Sequence, residues 1–319
     1  MEIKLDKKDF DILKILDSNF RTPLSKIAKK VGLSKNSVAL RFEKLKEMIT
    51  HTTTGINNPR LGYTLVKVFY SFDFLDEMTI KEIKKQFTKH TNLLYVATLY
   101  GHYNLEIGLF IKNIRDLISD LEKFHEKFMK KINEKQIQIV VDQFYLGNSF
   151  LYNGPSTTVS KILPSNKIIT LTKIEKKILA MIRNNPRMSL IEISTKTKLN
   201  PKTIASNLRS LEKKEAIIGY FMAVDPSKLG LSTFKLLLRV HTLKKTKEVE
   251  DYLISIKGVK HVSRQIGLWD FEADIICENI LGLQEEIELL KKTFPNVIKR
   301  IEVISFGKRL ITSKEMFLG

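Results

Sequence analysis

The chain lacks the residues that secreted and membrane proteins depend on. Its 319 residues include one cysteine, Cys277, so no intramolecular disulfide can form. No apolar run approaches the roughly 18 residues a membrane span needs. The opening MEIKLDKKDFDILKIL alternates charge with apolar side chains where a signal peptide would carry an apolar core. A cytoplasmic protein with no membrane partner is expected. Acidic residues are also scarce: 35 Asp/Glu face 54 Lys/Arg, a formal net charge of +19. That balance suits a polyanion such as nucleic acid. A Walker loop, a nucleophile elbow and a dinucleotide fingerprint are all missing. The histidines, His51, His90, His102, His125, His241 and His261, show no ligand spacing. No catalytic residue, metal or cofactor is expected.

What the chain has is repetition. Residue n of the first half resembles residue n + 166 of the second. LSKNSVALRFEKL (33–45) meets LNPKTIASNLRSL (199–211), so that Leu33, Val38, Phe42 and Leu45 map onto Leu199, Ile204, Leu208 and Leu211, the stripe of one buried helix. Arg21 falls on Arg187, and LYGHYNLEI (99–107) on QIGLWDFEA (265–273). Each copy opens with three helical segments, roughly 7–18, 23–31 and 35–48 in the first. Thr22-Pro23 predicts a cap and first-turn proline for the second helix, Gly32 and Ser34 the turn and cap before the third. Ser189 with Glu192, and Asn200 with Pro201, repeat such signals in the second copy. Helix, short turn, helix is the helix-turn-helix arrangement.

The hydrophobic period then changes. LVKVFYSFDF (65–74) reads as a strand, Ile80, Ile83 and Phe87 as a helix, LLYVATLY and YNLEIGLFI as a hairpin about Gly101, Ile114 to Leu121 as a second helix, and QIQIVVDQF (136–144) as a last strand. That order is βαββαβ, the ferredoxin-like unit. The expected fold is α+β, a tandem repeat of a winged helix-turn-helix domain and a ferredoxin-like domain. The domains would span 1–62 and 63–151, then 171–230 and 231–319, with a Gly, Pro and Ser/Thr-bearing linker at 152–170.

Each half resembles a leucine-responsive, Lrp/AsnC-type regulator, on ILKIL…NFRTPLSKIAKKVGLS…VALRFEKL in the first copy, ILAMI…NPRMSLIEI…LNPKTIASNLRSL in the second, and the turns GHYN and GLWD. The resemblance implies a DNA-binding transcriptional regulator whose ferredoxin-like domain senses a small metabolite. Residues 1–50 hold 12 Lys/Arg and 7 Asp/Glu, net +5, and residues 171–220 hold 11 and 4, net +7, so the excess charge sits on the helical modules. A recognition helix puts its leading residues at base edges and cations beside phosphates. In the first copy Lys35, Asn36 and Ser37 lead, Lys44 follows, and Arg41, which matches the arginine typical of this family, is expected on phosphate. In the second copy Lys202 and Thr203 lead and Ser206 follows. Asn207 stands at the arginine position there, so the first copy is expected to contribute more affinity to double-stranded DNA.

In the family the hairpin turn lies near the effector pocket, often one for amino acids. Gly101, Tyr103 and Asn104, and Gly267, Trp269 and Asp270, would each supply close approach, an aromatic wall and a polar end. Asp270 could pair with an α-ammonium; the amide of Asn104 could not. Glu272 and Asp274 alternate with Asp270 on one strand face, as expected of a polar face at a domain interface. Two rival readings stand beside the regulator. Sirohaem decarboxylases resemble the same architecture and can be tandem, but VATLYGHYNLEIG and VSRQIGLWDFEAD lack their His/Arg-rich signature, leaving only His102. The other rival is a metabolite-sensing scaffold without DNA binding, suggested by Asn207. A linker of that length reaches tens of ångströms when extended, so the two sensor domains are expected to pair within one chain as a pseudo-dimer, with further self-association left open at the sheet edges.

Overall fold

The computed structural model describes residues 4–88, 90–151 and 160–312. The first half runs α1 (Lys7–Ser18), α2 (Leu24–Val31), α3 (Lys35–Leu45), β1 (Ile49–Ile56), β2 (Thr64–Phe72), α4 (Glu77–Phe87), β3 (Leu93–Tyr100), β4 (Leu105–Ile111), α5 (Ile114–Phe128) and β5 (Ile132–Tyr145). A short β6 (Ser160–Ile162) follows. The second half repeats the order as α6 (Lys173–Ile182), α7 (Leu190–Thr197), α8 (Pro201–Lys213), β7 (Ile217–Val224), β8 (Ser232–Val240), α9 (Thr246–Ser255), β9 (Val259–Ile266), β10 (Phe271–Cys277), α10 (Ile280–Thr293) and β11 (Ile298–Thr312).

The helix starts are set by side chains that satisfy the first free backbone N–H groups. Asp6 with Asp9 closes a capping box on α1, Ser34 Oγ accepts the Ser37 N–H on α3, and Ser189 with Glu192 and Asn200 with Pro201 act as their spacing indicated. The start of α2 differs by one residue. Pro23 is itself the cap residue, extended at φ −60° and ψ 141°, and the Thr22 hydroxyl turns back to the Asn19 carbonyl at 2.8 Å. Gly32 ends α2 at φ 68°, the left-handed region; Lys198, at the matching place, ends α7 at φ 60°.

The two halves pair at two levels. Their wing strands β1 and β7 form one antiparallel ribbon, Gly55 opposite Gly219, and the six surrounding helices share a single apolar core. Beyond the wings, each half contributes four strands, in the order β5-β2-β4-β3 and β11-β8-β10-β9. β3 then pairs with β11 and β5 with β9, so the eight strands close into a barrel about the pseudo-twofold axis. Helices α4 and α5, and α9 and α10, cover separate apolar cores on its outside. The two halves thus pair through their strands within one chain.

Part of the stretch read as a linker is ordered structure. β6 adds to β5 through Ser160 and Ile162, and the Ile169 N–H donates to the Arg60 carbonyl at 2.8 Å; residues 152–159 lie outside the described residues. Among the described residues no helix is long and apolar enough to cross a membrane.

Candidate nucleic-acid interface and sensor turns

Helix α3 buries Val38, Phe42 and Leu45. At about 100° per residue, the side opposite that stripe carries Asn36, Leu40 and Glu43, with Lys44 beside them. Lys35, Asn36, Leu40 and Lys44 are exposed and Ser37 is half-buried, its hydroxyl 2.9 Å from that of Ser34. Arg41 lies elsewhere. Its Nη1 is 2.7 Å from Asp6 Oδ2 and 2.6 Å from Asp9 Oδ1, the two carboxylates that cap α1. In the free protein Arg41 thus ties the reader helix to the first helix. The Asp9 backbone N–H, and then Arg41, hold the Asp6 carboxyl below its usual range.

Helix α8 buries Ile204, Leu208 and Leu211. Its opposite side carries Lys202, Ser206 and Arg209, all exposed, with Thr203 exposed beside them. The tie to the first helix is present here too, through other residues. Glu175, which matches Asp9, receives Lys214 Nζ at 2.6 Å and Ser210 Oγ at 3.0 Å. Asn207 only turns back to the Thr203 carbonyl, 2.9 Å away. Its presence therefore removes a tie that Lys214 replaces, and the ground for ranking the first reader above the second disappears. Arg209 was not among the residues expected at the second reader; its spacing of three from Ser206 places it on the outward stripe.

The readers are held rigidly to each other. Arg21 and Arg187, equivalent in the repeat, cross over: Arg21 donates to the Pro186 carbonyl and lies over the Tyr220 ring, while Arg187 donates to the Phe20 and Thr22 carbonyls and lies 5.1 Å from the Phe42 ring centre. Thr54 Oγ1 donates to the Ile182 carbonyl at 2.7 Å.

The sensor turns are closed. Tyr103 and Trp269 are 1% and 0% exposed, packed inside the barrel with Phe69, Leu99, Leu237 and Ile304. Asn104 spans its turn to β2, accepting the Phe72 N–H at 2.9 Å and donating to the Phe72 carbonyl at 2.8 Å. Asp270 makes the matching link to β8, accepting the Val240 N–H at 2.8 Å. A Cβ on Gly267 would come within 2.7 Å of the Ile137 carbonyl. With its amide oriented to suit its neighbours, Gln138 accepts the Leu268 and Trp269 N–H groups at 3.1 and 3.2 Å and donates to the Trp269 carbonyl at 3.2 Å. Ile304, the repeat equivalent of Gln138, lies against Gly101. Gly101, Tyr103, Asn104, Gly267, Trp269 and Asp270, expected near an effector, are packed and bonded within the chain. The aromatic walls are core, and the polar ends are bonded to backbone.

A buried charge cluster, not anticipated in its extent, fills the rest of the barrel. Lys67 and Lys235 are 3% and 2% exposed, and Glu106 and Glu272 are fully buried. Lys235 Nζ bonds Glu272 and lies 3.0 Å from Asp274 Oδ1 and 3.6 Å from Glu106 Oε2. Tyr95 donates to Glu106 at 2.5 Å and Gln265 to Glu272 at 2.7 Å. His261, Glu272 and Asp274 converge to within 4.8 Å, the spacing of a metal ligand set, but the ammonium of Lys235 is already bonded to both carboxylates. As its alternation suggested, the strand face of Glu272 and Asp274 meets the domain interface.

Comparison with known proteins matches residues 5–46 to the AsnC-type helix-turn-helix domain and residues 171–218 to a winged helix-turn-helix DNA-binding domain. The chain is similar to the HTH-type transcriptional regulator FL11 of Pyrococcus abyssi, 29% identical over 126 residues, which is 38% of this chain and 81% of FL11. It is 42% identical to the HTH-type transcriptional regulator LrpA of Pyrococcus horikoshii over 66 residues, 20% of this chain and 47% of LrpA. The siroheme decarboxylase NirDL is similar along 98% of this chain and 95% of its own, with a TM-score of 0.66 and 13% identity. At that identity the likeness is one of fold.

Proposed function

Because the chain is a tandem member of the Lrp/AsnC regulators, two family units on one polypeptide, we propose that it is a sequence-specific transcriptional regulator whose two unlike readers bind one duplex together. The observation that carries this reading is the pair of outward stripes. Asn36, Leu40 and Lys44 on α3 and Lys202, Ser206 and Arg209 on α8 stand exposed on the side of each helix away from its buried stripe. Reader helices held by one ribbon suit successive major grooves about 34 Å apart. Their side chains differ, so the site is two unlike half-sites and not a palindrome. Both readers carry exposed cations for phosphate, Lys35 and Lys44 on the first and Lys202 and Arg209 on the second, and Asn36 on the first suits base reading. Selection of sites from random duplex DNA tests this. Enrichment of two dissimilar motifs spaced by about one helical turn is expected, and recovery of no enriched sequence, or of a symmetric palindrome, overturns it.

A metabolite that modulates the protein must displace Gln138 or bind outside the turns. The rival reading as a sirohaem decarboxylase has the full-length fold likeness behind it. Against it stand the aromatic cluster and the lysine–glutamate cluster that fill the barrel. Titration with sirohaem, followed by absorbance, separates the two readings: no complex is expected, and a tight complex with a decarboxylated product would establish the enzyme.

A further inference from the structure

Leu40 is 75% exposed at the middle of α3, diametrically opposite the buried Val38, Phe42 and Leu45. A large aliphatic side chain held in water on a helix whose other outward residues are polar costs hydrophobic free energy that contact with an apolar partner would recover. The Asp6 and Asp9 bonds to Arg41 fix the rotation of α3 about its axis, and so the direction of Leu40. Asn36 precedes it by one turn on the same stripe, and Lys35 and Lys44 flank it. The apolar feature that a duplex presents at that depth in the major groove is the C5-methyl group of thymine. Ser206, the equivalent residue on α8, is polar.

We propose that Leu40 reads a thymine methyl in the half-site of the first reader, and that the second half-site has no such methyl-dependent position. The inference rests on the DNA-binding reading above and deepens it. Its test uses the full chain and the duplex selected from random DNA. Each thymine of the first half-site is replaced singly by deoxyuridine, which keeps the base pair and removes only the methyl. One replacement should weaken wild-type binding about fourfold, the effect of burying one methyl group, and 5-methylcytosine paired with guanine should retain the methyl-dependent contribution at that position. Leu40→Ser, a change at an exposed position, should bind the thymine and deoxyuridine duplexes equally while keeping the wild-type melting temperature. If a duplex is selected but no single deoxyuridine weakens binding, or if Leu40→Ser keeps the same sensitivity, the inference is overturned while the regulator reading stands. If no duplex is selected at all, both fall together.

Discussion

Lys67 Nζ of the first half lies 2.7 Å from Glu272 Oε1 of the second. The reciprocal pair, Lys235 with Glu106, lies 3.6 Å apart, so ion pairing crosses the pseudo-twofold axis in both directions, beside the pairs that Lys235 makes with Glu272 and Asp274 within the second half. Burial works against the Glu272 carboxylate, yet Lys235 and then Lys67 outweigh it and hold its pKa well below the usual range. Burial prevails at Glu106, whose carboxyl is pushed up despite Lys235. Two lysines, one firmly ionised glutamate and Asp274 come close to neutrality when Glu106 keeps its proton; the Tyr95 hydroxyl, which donates to Glu106 at 2.5 Å, works the other way and favours its carboxylate.

Replacing Glu272 by Gln keeps the shape and removes the shared anion, leaving two buried ammonium groups short of a partner. Breaking a buried pair on one side costs about 3–5 kcal/mol. Urea denaturation of Glu272→Gln should show a loss of that order, and a loss below about 1 kcal/mol would mean the cluster is screened by solvent as a surface pair is.

Acid should weaken the fold through histidine. Burial, followed by the charge of Lys67, lowers the pKa of His261 to about 4, and burial with Arg309 does the same for His51. A base whose pKa is depressed on folding binds fewer protons folded than unfolded. Its contribution to stability is therefore complete above the unfolded value near 6.5 and is lost as the pH falls through about 4. Melting temperatures taken from pH 7 to pH 4 should fall in the wild type, and the decline should be shallower in His261→Gln. Parallel profiles would show that His261 is already charged in the folded state.

Asp270 is predicted to act by its shape as an acceptor, not by its charge. Asn104 performs the equivalent task with an amide, so Asp270→Asn should leave the melting temperature nearly unchanged. Asp270→Ala, which strands the Val240 N–H bonded at 2.8 Å, should cost about 1 kcal/mol or somewhat more. A metabolite whose stabilising effect is lost in Asp270→Asn as fully as in Asp270→Ala would contradict this assignment and restore the ammonium-binding role.

The architecture was legible in the sequence because its signals are local and occur twice. Ser34, Ser189 and Asn200 cap where their spacing places them, and the stripes Val38–Phe42–Leu45 and Ile204–Leu208–Leu211 are both buried. What the sequence hid depends on contacts between distant residues. Arg41 meets Asp6 and Asp9 from more than 30 positions away, Gln138 enters a turn of the other half, and Lys67 reaches Glu272 across the axis. Lys67 and Lys235 occupy strands otherwise rich in apolar residues, a sign of a buried charge that sequence reasoning could have followed.

The arginines separate structural ties from DNA contacts. Arg209→Ala should reduce the dependence of log affinity on log salt by about 1, as loss of one phosphate contact does. Arg41→Ala should instead lower the melting temperature through its lost bonds to Asp6 and Asp9, with the salt slope preserved. The reverse pattern, a reduced slope for Arg41→Ala and none for Arg209→Ala, would mean that DNA draws Arg41 away from α1.

The ribbon between the readers gives the last prediction. Gly55 and Gly219 face each other across β1 and β7, and a Cβ on Gly55 would lie 2.2 Å from the Phe221 ring. That ring also stacks on Tyr145 of β5, their centres 6.1 Å apart, so it links the ribbon to the barrel. Gly55→Ala must push Phe221 aside and loosen the ribbon, while the reader helices keep their own ties at Asp9 and Glu175. Two readers held at fixed spacing bind the second half-site as an intramolecular event, and that advantage falls when their geometry is released. Gly55→Ala should therefore lose affinity for the complete two-part site, roughly tenfold or more, and bind an isolated half-site as the wild type does. Equal losses on both duplexes would show that the substitution damages the readers themselves, and equal affinity on both would show that the ribbon does not set their spacing.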